Sequence, residues 1–242
     1  MTPPPIGKLP ASAIGHHPEP ISPEVIAAYL ALPDLTGNVS DAMDLLNLSG
    51  AVGAFILRPS IATARIVGSA LTVKNRLRSE SVVEAVARND NRLADIEAHN
   101  IALPGDVLVV QGVENASSLG GLSATIAKRQ GEIGIIVDGL VRDIEVSRSI
   151  GLPVWMKGTT PATGKWRIET VGVNVAVTIA GVRVAPGDLV VADQTGICFV
   201  ERAQVQRVLE AAQKIVADEH RRTRLIAEGA PLKDVTQKPP RC

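Results

Sequence analysis

Ten residues, Gly134 to Asp143, constrain this chain more than any others: Gly-Ile-Ile-Val-Asp-Gly-Leu-Val-Arg-Asp. The first four form a short apolar run rich in β-branched residues, as a buried strand would be. Asp138-Gly139 breaks the run and favours a turn. Beyond it, Arg142 and Asp143 stand side by side. Arginine can clamp a carboxylate through a bidentate fork, and aspartate can hold a hard divalent cation. Together they would seat an anionic, metal-chelating small molecule. A surface ion pair at the start of the next helix is the competing reading, and exposed pairs contribute little.

The flanking chain reads as many short strands punctuated by Gly and Pro, with helices between them. Residues 1–23 carry Pro3, Pro4, Pro5, Pro10, Pro18, Pro20 and Pro23, so they predict an extended arm, either loose or packed on a neighbour. His16-His17 lies there with no acid or third histidine close in sequence and is read as part of the arm. Ser22-Pro23-Glu24 opens a helix to about Leu32, and Asp41 is placed to cap a short helix over 42–47. Two strand pieces, 63–67 and 70–74, flank Gly68. A helix over 79–98 is expected to fray or kink around Asn89-Asp90-Asn91. Leu103-Pro104-Gly105-Asp106 is a turn into the strand 107–110, and Ala185-Pro186-Gly187-Asp188 reuses it before 189–192. Further strands are read at 152–156, 171–179, 182–184 and 197–200. A helix over 144–150 ends at Gly151, and 158–164 is a loop. Residues 202–228 have the spacing of a long amphipathic helix, and 229–242 form a loose tail. This succession predicts an α/β sandwich with a mixed sheet and a single domain over 24–228.

A second local feature matters. Gly120-Gly121 opens the helix Leu122–Arg129, so bare backbone N–H groups meet the positive end of a helix dipole, which suits an anion. Alone, a Gly-Gly pair is also an ordinary loop.

Composition removes several classes. Net charge is zero, and aromatics make up only 2% of the chain. There is thus neither a basic stripe nor a stacking platform for nucleic acid. Cys198 and Cys242 are the only cysteines, which fits a reducing compartment. No signal peptide and no run of membrane-spanning length is read, so the expectation is a cytoplasmic protein without a membrane partner.

Gly121, then twenty residues, then Arg142-Asp143 resembles the signature of the RraA-like family. That family includes 4-hydroxy-4-methyl-2-oxoglutarate / 4-carboxy-4-hydroxy-2-oxoadipate aldolases and regulators of ribonuclease E activity. The resemblance runs from about Thr36 to Val200. It includes Gly68-Ser69-Ala70-Leu71-Thr72-Val73, Pro104-Gly105-Asp106, Leu152-Pro153-Val154, and Pro186-Gly187-Asp188-Leu189-Val190-Val191-Ala192-Asp193. It implies an α-β-β-α sandwich like the phosphohistidine swivelling domain, assembled as a homotrimer or dimer of trimers with active sites between subunits. It also implies a 2-oxo acid substrate. Arg142 would clamp the carboxylate of pyruvate, Asp143 would hold Mg²⁺ or Mn²⁺, and the amides after Gly120 and Gly121, those of Leu122 and Ser123, would meet the same carboxylate.

Two positions depart from the aldolase pattern. An acid is expected three residues beyond the aspartate, where this chain has Val146, with Glu145 one place early. A shift of one residue turns a helical side chain by about a quarter turn. Gln111 also stands where many relatives carry an acid. The expected base is then a water oriented by Glu114 or Glu145, or by the partner subunit's Asp41 or the partner subunit's Asp193. Lys165 and Arg167 would meet a distal substrate carboxylate.

Overall fold

The computed structural model describes residues 3–236. Two helices, α1 (Pro23–Leu30) and α2 (Leu35–Leu45), precede the short strands β1 (Ala51–Gly53) and β2 (Arg58–Pro59) and the long β3 (Ile66–Leu77). Then come α3 (Val82–Ala87), α4 (Asp95–Ile101), β4 (Asp106–Gln111), α5 (Gly121–Gln130), β5 (Gly134–Val141), α6 (Ile144–Ser149) and β6 (Val154–Thr159). Three more strands, β7 (Ile168–Val173), β8 (Val177–Ile179) and β9 (Val182–Val184), lead into β10 (Leu189–Ala192) and β11 (Gly196–Val200). The chain closes with α7 (Val205–Ala227) and α8 (Leu232–Thr236).

The main sheet runs β1-β11-β10-β3-β4-β5-β6-β2, with β7 on the far end of β3 and β8-β9 as a separate hairpin. β3 to β6 are parallel, and the flanking strands are antiparallel. This is a mixed α/β fold around a central mixed sheet. The path cannot be flat. Seven inter-strand steps of about 4.8 Å would put β1 and β2 roughly 34 Å apart. Only residues 54–57 join them, and those span at most about 19 Å. The sheet therefore curls, which brings its two edges within about 19 Å of each other.

Side-chain alternation sorts into three cores accordingly. The inner face, with Ala70, Val107, Val109, Ile136, Trp155, Val190, Ile197 and Phe199, closes on itself. Outside, Leu71, Leu108, Ile135 and Val137 pack against α4 and α5, while Val67, Leu189, Val191 and Val200 pack against α1, α2 and α7.

Several expectations need correction. Gly68 does not break β3. A Cβ there would sit 2.3 Å from the Gly105 carbonyl oxygen, so glycine permits a close approach. Asp138-Gly139 is no turn; it is a register irregularity inside β5. Asp41 is not a cap, because α2 already begins at Leu35, where the Asp193 carboxylate accepts the Thr36 N–H at 3.0 Å. The helix expected over 79–98 is two helices, and Ser81 with Glu84 forms a capping box on the first. The strand read over 171–179 ends at Val173, before the positive φ (50°) of Asn174. The tail contains α8, which buries Val235, and residues 237–242 lie outside the described set.

The proline-rich arm packs on its own domain. The buried Glu97 carboxylate accepts the N–H groups of Ile6 (2.9 Å) and Lys8 (2.6 Å). Farther along, His17 Nε2 lies 2.7 Å from Asp106 Oδ2. Burial opposes a charge on His17, but the Asp106 carboxylate and the Pro18 carbonyl outweigh it and raise the imidazole above its ordinary 6.5. A raised folded value means that this contact stabilises fully below about pH 6.5 and is lost as pH rises through the folded value. The Tm gap between the wild type and His17→Ala is therefore expected to be widest near pH 6, several degrees, and to shrink at alkaline pH. A gap independent of pH would show that the contact does not depend on the charge of His17.

Candidate active site

β4 and β5 are parallel neighbours, with Val107 opposite Gly134 and Val110 opposite Val137. Their carboxyl ends therefore lie side by side, and the loops leaving them converge, as at the ligand crevices of open α/β sheets. One loop delivers Gly120-Gly121 and α5; the other delivers Arg142-Asp143 and α6. Main-chain bonds lock them together: Ser118 N–H to the Leu140 carbonyl at 2.9 Å and Arg142 N–H to the Leu119 carbonyl at 3.0 Å.

Asp143 has left-handed backbone geometry, φ 56° and ψ 35°. For a non-glycine residue this costs on the order of 1–3 kcal/mol. Its Oδ2 accepts the Gly121 N–H at 3.0 Å and lies 3.6 Å from Arg142 Nε. The second distance is that of an ion pair but too long for a hydrogen bond, so among the described residues the guanidinium makes no hydrogen bond. The glycines are there because the pair leans on them. A Cβ on Gly120 would fall 3.2 Å from Asp143 Oδ2 and 3.3 Å from Arg142 Nε, and one on Gly121 would fall 3.0 Å from Val146 Cγ2. The N–H groups of Leu122 and Ser123 belong to the first turn of α5 and have no intrahelical partner.

These groups border a cleft of about 300 Å³. Gly120, Gly121, Leu122, Ser123, Arg142 and Asp143, the residues expected to bind substrate and metal, all line it. Lys8 from the arm and the exposed Lys165 add positive charge. With the α5 dipole, this side of the cleft suits a carboxylate. As for a metal, Asp143 is half exposed and supplies one carboxylate. Among the described residues no three His, Cys, Asp or Glu converge as a cage. A single carboxylate fits a hard cation that keeps its waters, Mg²⁺ or Mn²⁺, better than a closed zinc site.

The other candidates lie elsewhere. Glu114 and Glu145 are exposed and do not line the cleft. Val146 occupies the position facing Gly121. Gln111 accepts the Thr178 N–H at 3.0 Å and so braces β8. Asp193 is engaged with Thr36 and Thr195, which hold its carboxyl below the ordinary range even though burial pushes the other way. Asp41 is exposed on α2. Gly158 and Thr159 end β6 rather than open the expected loop, and Arg167 props the 160–167 loop by donating to the Thr163 carbonyl at 3.1 Å.

The sequence reading passed over His99, which lines the cleft from α4. Its Nε2 lies 2.8 Å from Ser123 Oγ, and its Nδ1 lies 2.6 Å from Glu132 Oε1. Burial opposes a charge on His99, but Glu132 and the more distant Asp95 lift its pKa above the ordinary value. A histidine in an amphipathic helix and a glutamate before a strand carry no local signal of this contact.

A family model described as "RraA-like: Aldolase/RraA" matches residues 36–199. A relative from Halalkalibacterium halodurans, named "Putative 4-hydroxy-4-methyl-2-oxoglutarate aldolase", is 33% identical over 85% of this chain and 90% of its own. The crystal structure of Streptomyces coelicolor RraAS2, described as an unusual member of the RNase ES inhibitor RraA protein family, superposes with a TM-score of 0.68. It is 27% identical and is covered over 96% of its length, against 84% of this chain. An uncharacterized Pseudomonas syringae protein shares the fold, with a TM-score of 0.74 at 24% identity, covering 91% of this chain and all of its own.

Proposed function

This chain belongs to the RraA-like family, and from that premise we propose that it is a divalent-metal-dependent lyase that cleaves a C–C bond of a 2-oxo acid and releases pyruvate. The substrates would be 4-hydroxy-4-methyl-2-oxoglutarate or 4-carboxy-4-hydroxy-2-oxoadipate. Oxaloacetate would be decarboxylated at the same site, because the departing electron pair has the same destination. The observation that carries this reading is the juxtaposition of a guanidinium that makes no hydrogen bond among the described residues, a half-exposed carboxylate and the start of α5 in one cleft.

Each group has a part. Arg142 and the amides of Leu122 and Ser123 hold the substrate carboxylate and so fix the 2-oxo group beside Asp143. A Mg²⁺ or Mn²⁺ ion held by Asp143 would supply Lewis-acid stabilisation for the charge that develops on the 2-oxo oxygen. Lys165, which lines the cleft, would meet a distal carboxylate.

We also propose assembly as a trimer or pair of trimers, as the family resemblance implies. The likeness to RraAS2 supports a second reading, a non-catalytic regulator that docks on a ribonuclease. Pyruvate release separates the two. With Mg²⁺ the protein is expected to release pyruvate from 4-carboxy-4-hydroxy-2-oxoadipate and from oxaloacetate, and EDTA is expected to stop both. No turnover of either substrate would sink the lyase reading.

A further inference from the structure

Arg142 and Asp143 account for charge but not for proton transfer. Splitting a 4-hydroxy-2-oxo acid needs a group that removes the proton of the C4 hydroxyl and later protonates C3 of the pyruvate fragment. Val146 has no titratable group, and Glu114 and Glu145 lie outside the cleft.

The cleft wall holds an alternative. The Glu132 side chain is wholly buried, and its Oε2 has no partner among the described residues. A buried carboxylate held by one partner demands a strong donor there. That donor is His99 Nδ1, at 2.6 Å. Because a carboxylate only accepts, Nδ1 carries the hydrogen, and Nε2 faces Ser123 Oγ at 2.8 Å. Gln130 Nε2 donates to the His99 carbonyl at 2.8 Å and so fixes its main chain. Neutral His99 accepts the Ser123 O–H. Protonated His99 donates instead, and the Ser123 O–H is turned free. Ser123 lies two residues beyond Gly121, whose N–H holds Asp143. Nucleophile-to-base and base-to-carboxylate spacings of this kind are those of a working relay.

We propose that Glu132, His99 and Ser123 form the proton relay of this site, with Ser123 Oγ the atom that meets the substrate. This rests on the lyase reading. The C4 hydroxyl proton passes to Ser123 Oγ as the serine proton passes to His99 Nε2, leaving an imidazolium paired with Glu132. The C3–C4 bond breaks, its electrons enter the 2-oxo group as an enolate, and C4 becomes a carbonyl carbon. The proton on Nε2 then returns through Ser123 to C3. Pyruvate leaves, His99 is neutral again, and no co-reactant is consumed. Ser123 is the catalytic residue; His99 and Glu132 act through it.

Pyruvate itself is the probe. In D₂O with Mg²⁺, proton NMR follows the loss of its methyl signal, which reports enolisation without C–C cleavage. The wild type is expected to exchange. Ser123→Ala and His99→Gln are expected to slow exchange at least about 100-fold, with the half-saturating pyruvate concentration within about threefold of wild type. In metal-free protein at a pH above the raised pKa of His99, ¹⁵N-labelled His99 is expected to show an Nδ1–H tautomer that Glu132→Gln perturbs. Wild-type exchange rates in both variants overturn the relay alone. So does a slowing matched by an equal rise in half-saturation, which marks a structural role. Absence of exchange in the wild type overturns the lyase reading and the relay with it.

Discussion

Asp143→Asn is expected to lower metal-dependent pyruvate release by about 1000-fold while leaving the fold intact. Lewis-acid stabilisation is worth several kcal/mol, and each 1.36 kcal/mol is a factor of ten. Asparagine is the informative replacement for two structural reasons. Asp143 lies at φ 56°, ψ 35°, a region that Asn enters more readily than other non-glycine residues. The Asn carbonyl can also go on accepting the Gly121 N–H, now 3.0 Å from Oδ2. Only the charge is lost. The midpoint of thermal unfolding should stay within a few degrees. Steady-state rates with Mg²⁺ and Mn²⁺ check the prediction, and rates equal to wild type would show that Asp143 holds no metal.

Trp155→Ala is expected to destabilise the protein by about 3–5 kcal/mol. Trp155 is fully buried in the core that the curled sheet encloses, and its indole N–H donates to the Asp193 carbonyl at 2.9 Å. The Asp193 carboxylate in turn holds the start of α2. Truncation therefore leaves a cavity and an unpaired carbonyl, and it loosens the link from β6 to the turn after β10. Against a total stability of about 5–15 kcal/mol, that is a large share. Urea unfolding should show it as a lower midpoint. A loss below about 1 kcal/mol would mean that the enclosed core is less tightly packed than its burial indicates.

What the residues reveal without coordinates is mostly local. The two Pro-Gly-Asp turns behave alike: Asp106 Oδ2 accepts the Leu103 N–H, and Asp188 Oδ2 accepts the Ala185 N–H, each at 2.8 Å. That repetition is legible because the turn, its glycine at positive φ and its acceptor lie within four residues. The Gly-Gly start of α5 and the Arg-Asp pair are legible for the same reason. Contacts made by packing are not. Glu97 holds an arm that is distant in sequence, Asp193 reaches Thr36 across most of the chain, and Glu132 meets His99 only because α4 lies on α5. Asp138-Gly139 shows the converse failure. A turn-forming pair, placed between two paired parallel strands, was absorbed as an irregularity because the neighbouring strands supplied partners on both sides.

The curled sheet bears on the order in which the molecule is made. β1 pairs with β11, Ala51 opposite Cys198, so the curl closes only when almost the whole domain exists. Every cleft residue precedes β7. During synthesis at about 5–20 residues per second, the parallel β4–α5–β5–α6 unit emerges several seconds before β11. A nascent chain thus carries its cleft residues before it carries closure, with β1 waiting unpaired. At three residues β1 is short, which limits what else that waiting edge can recruit.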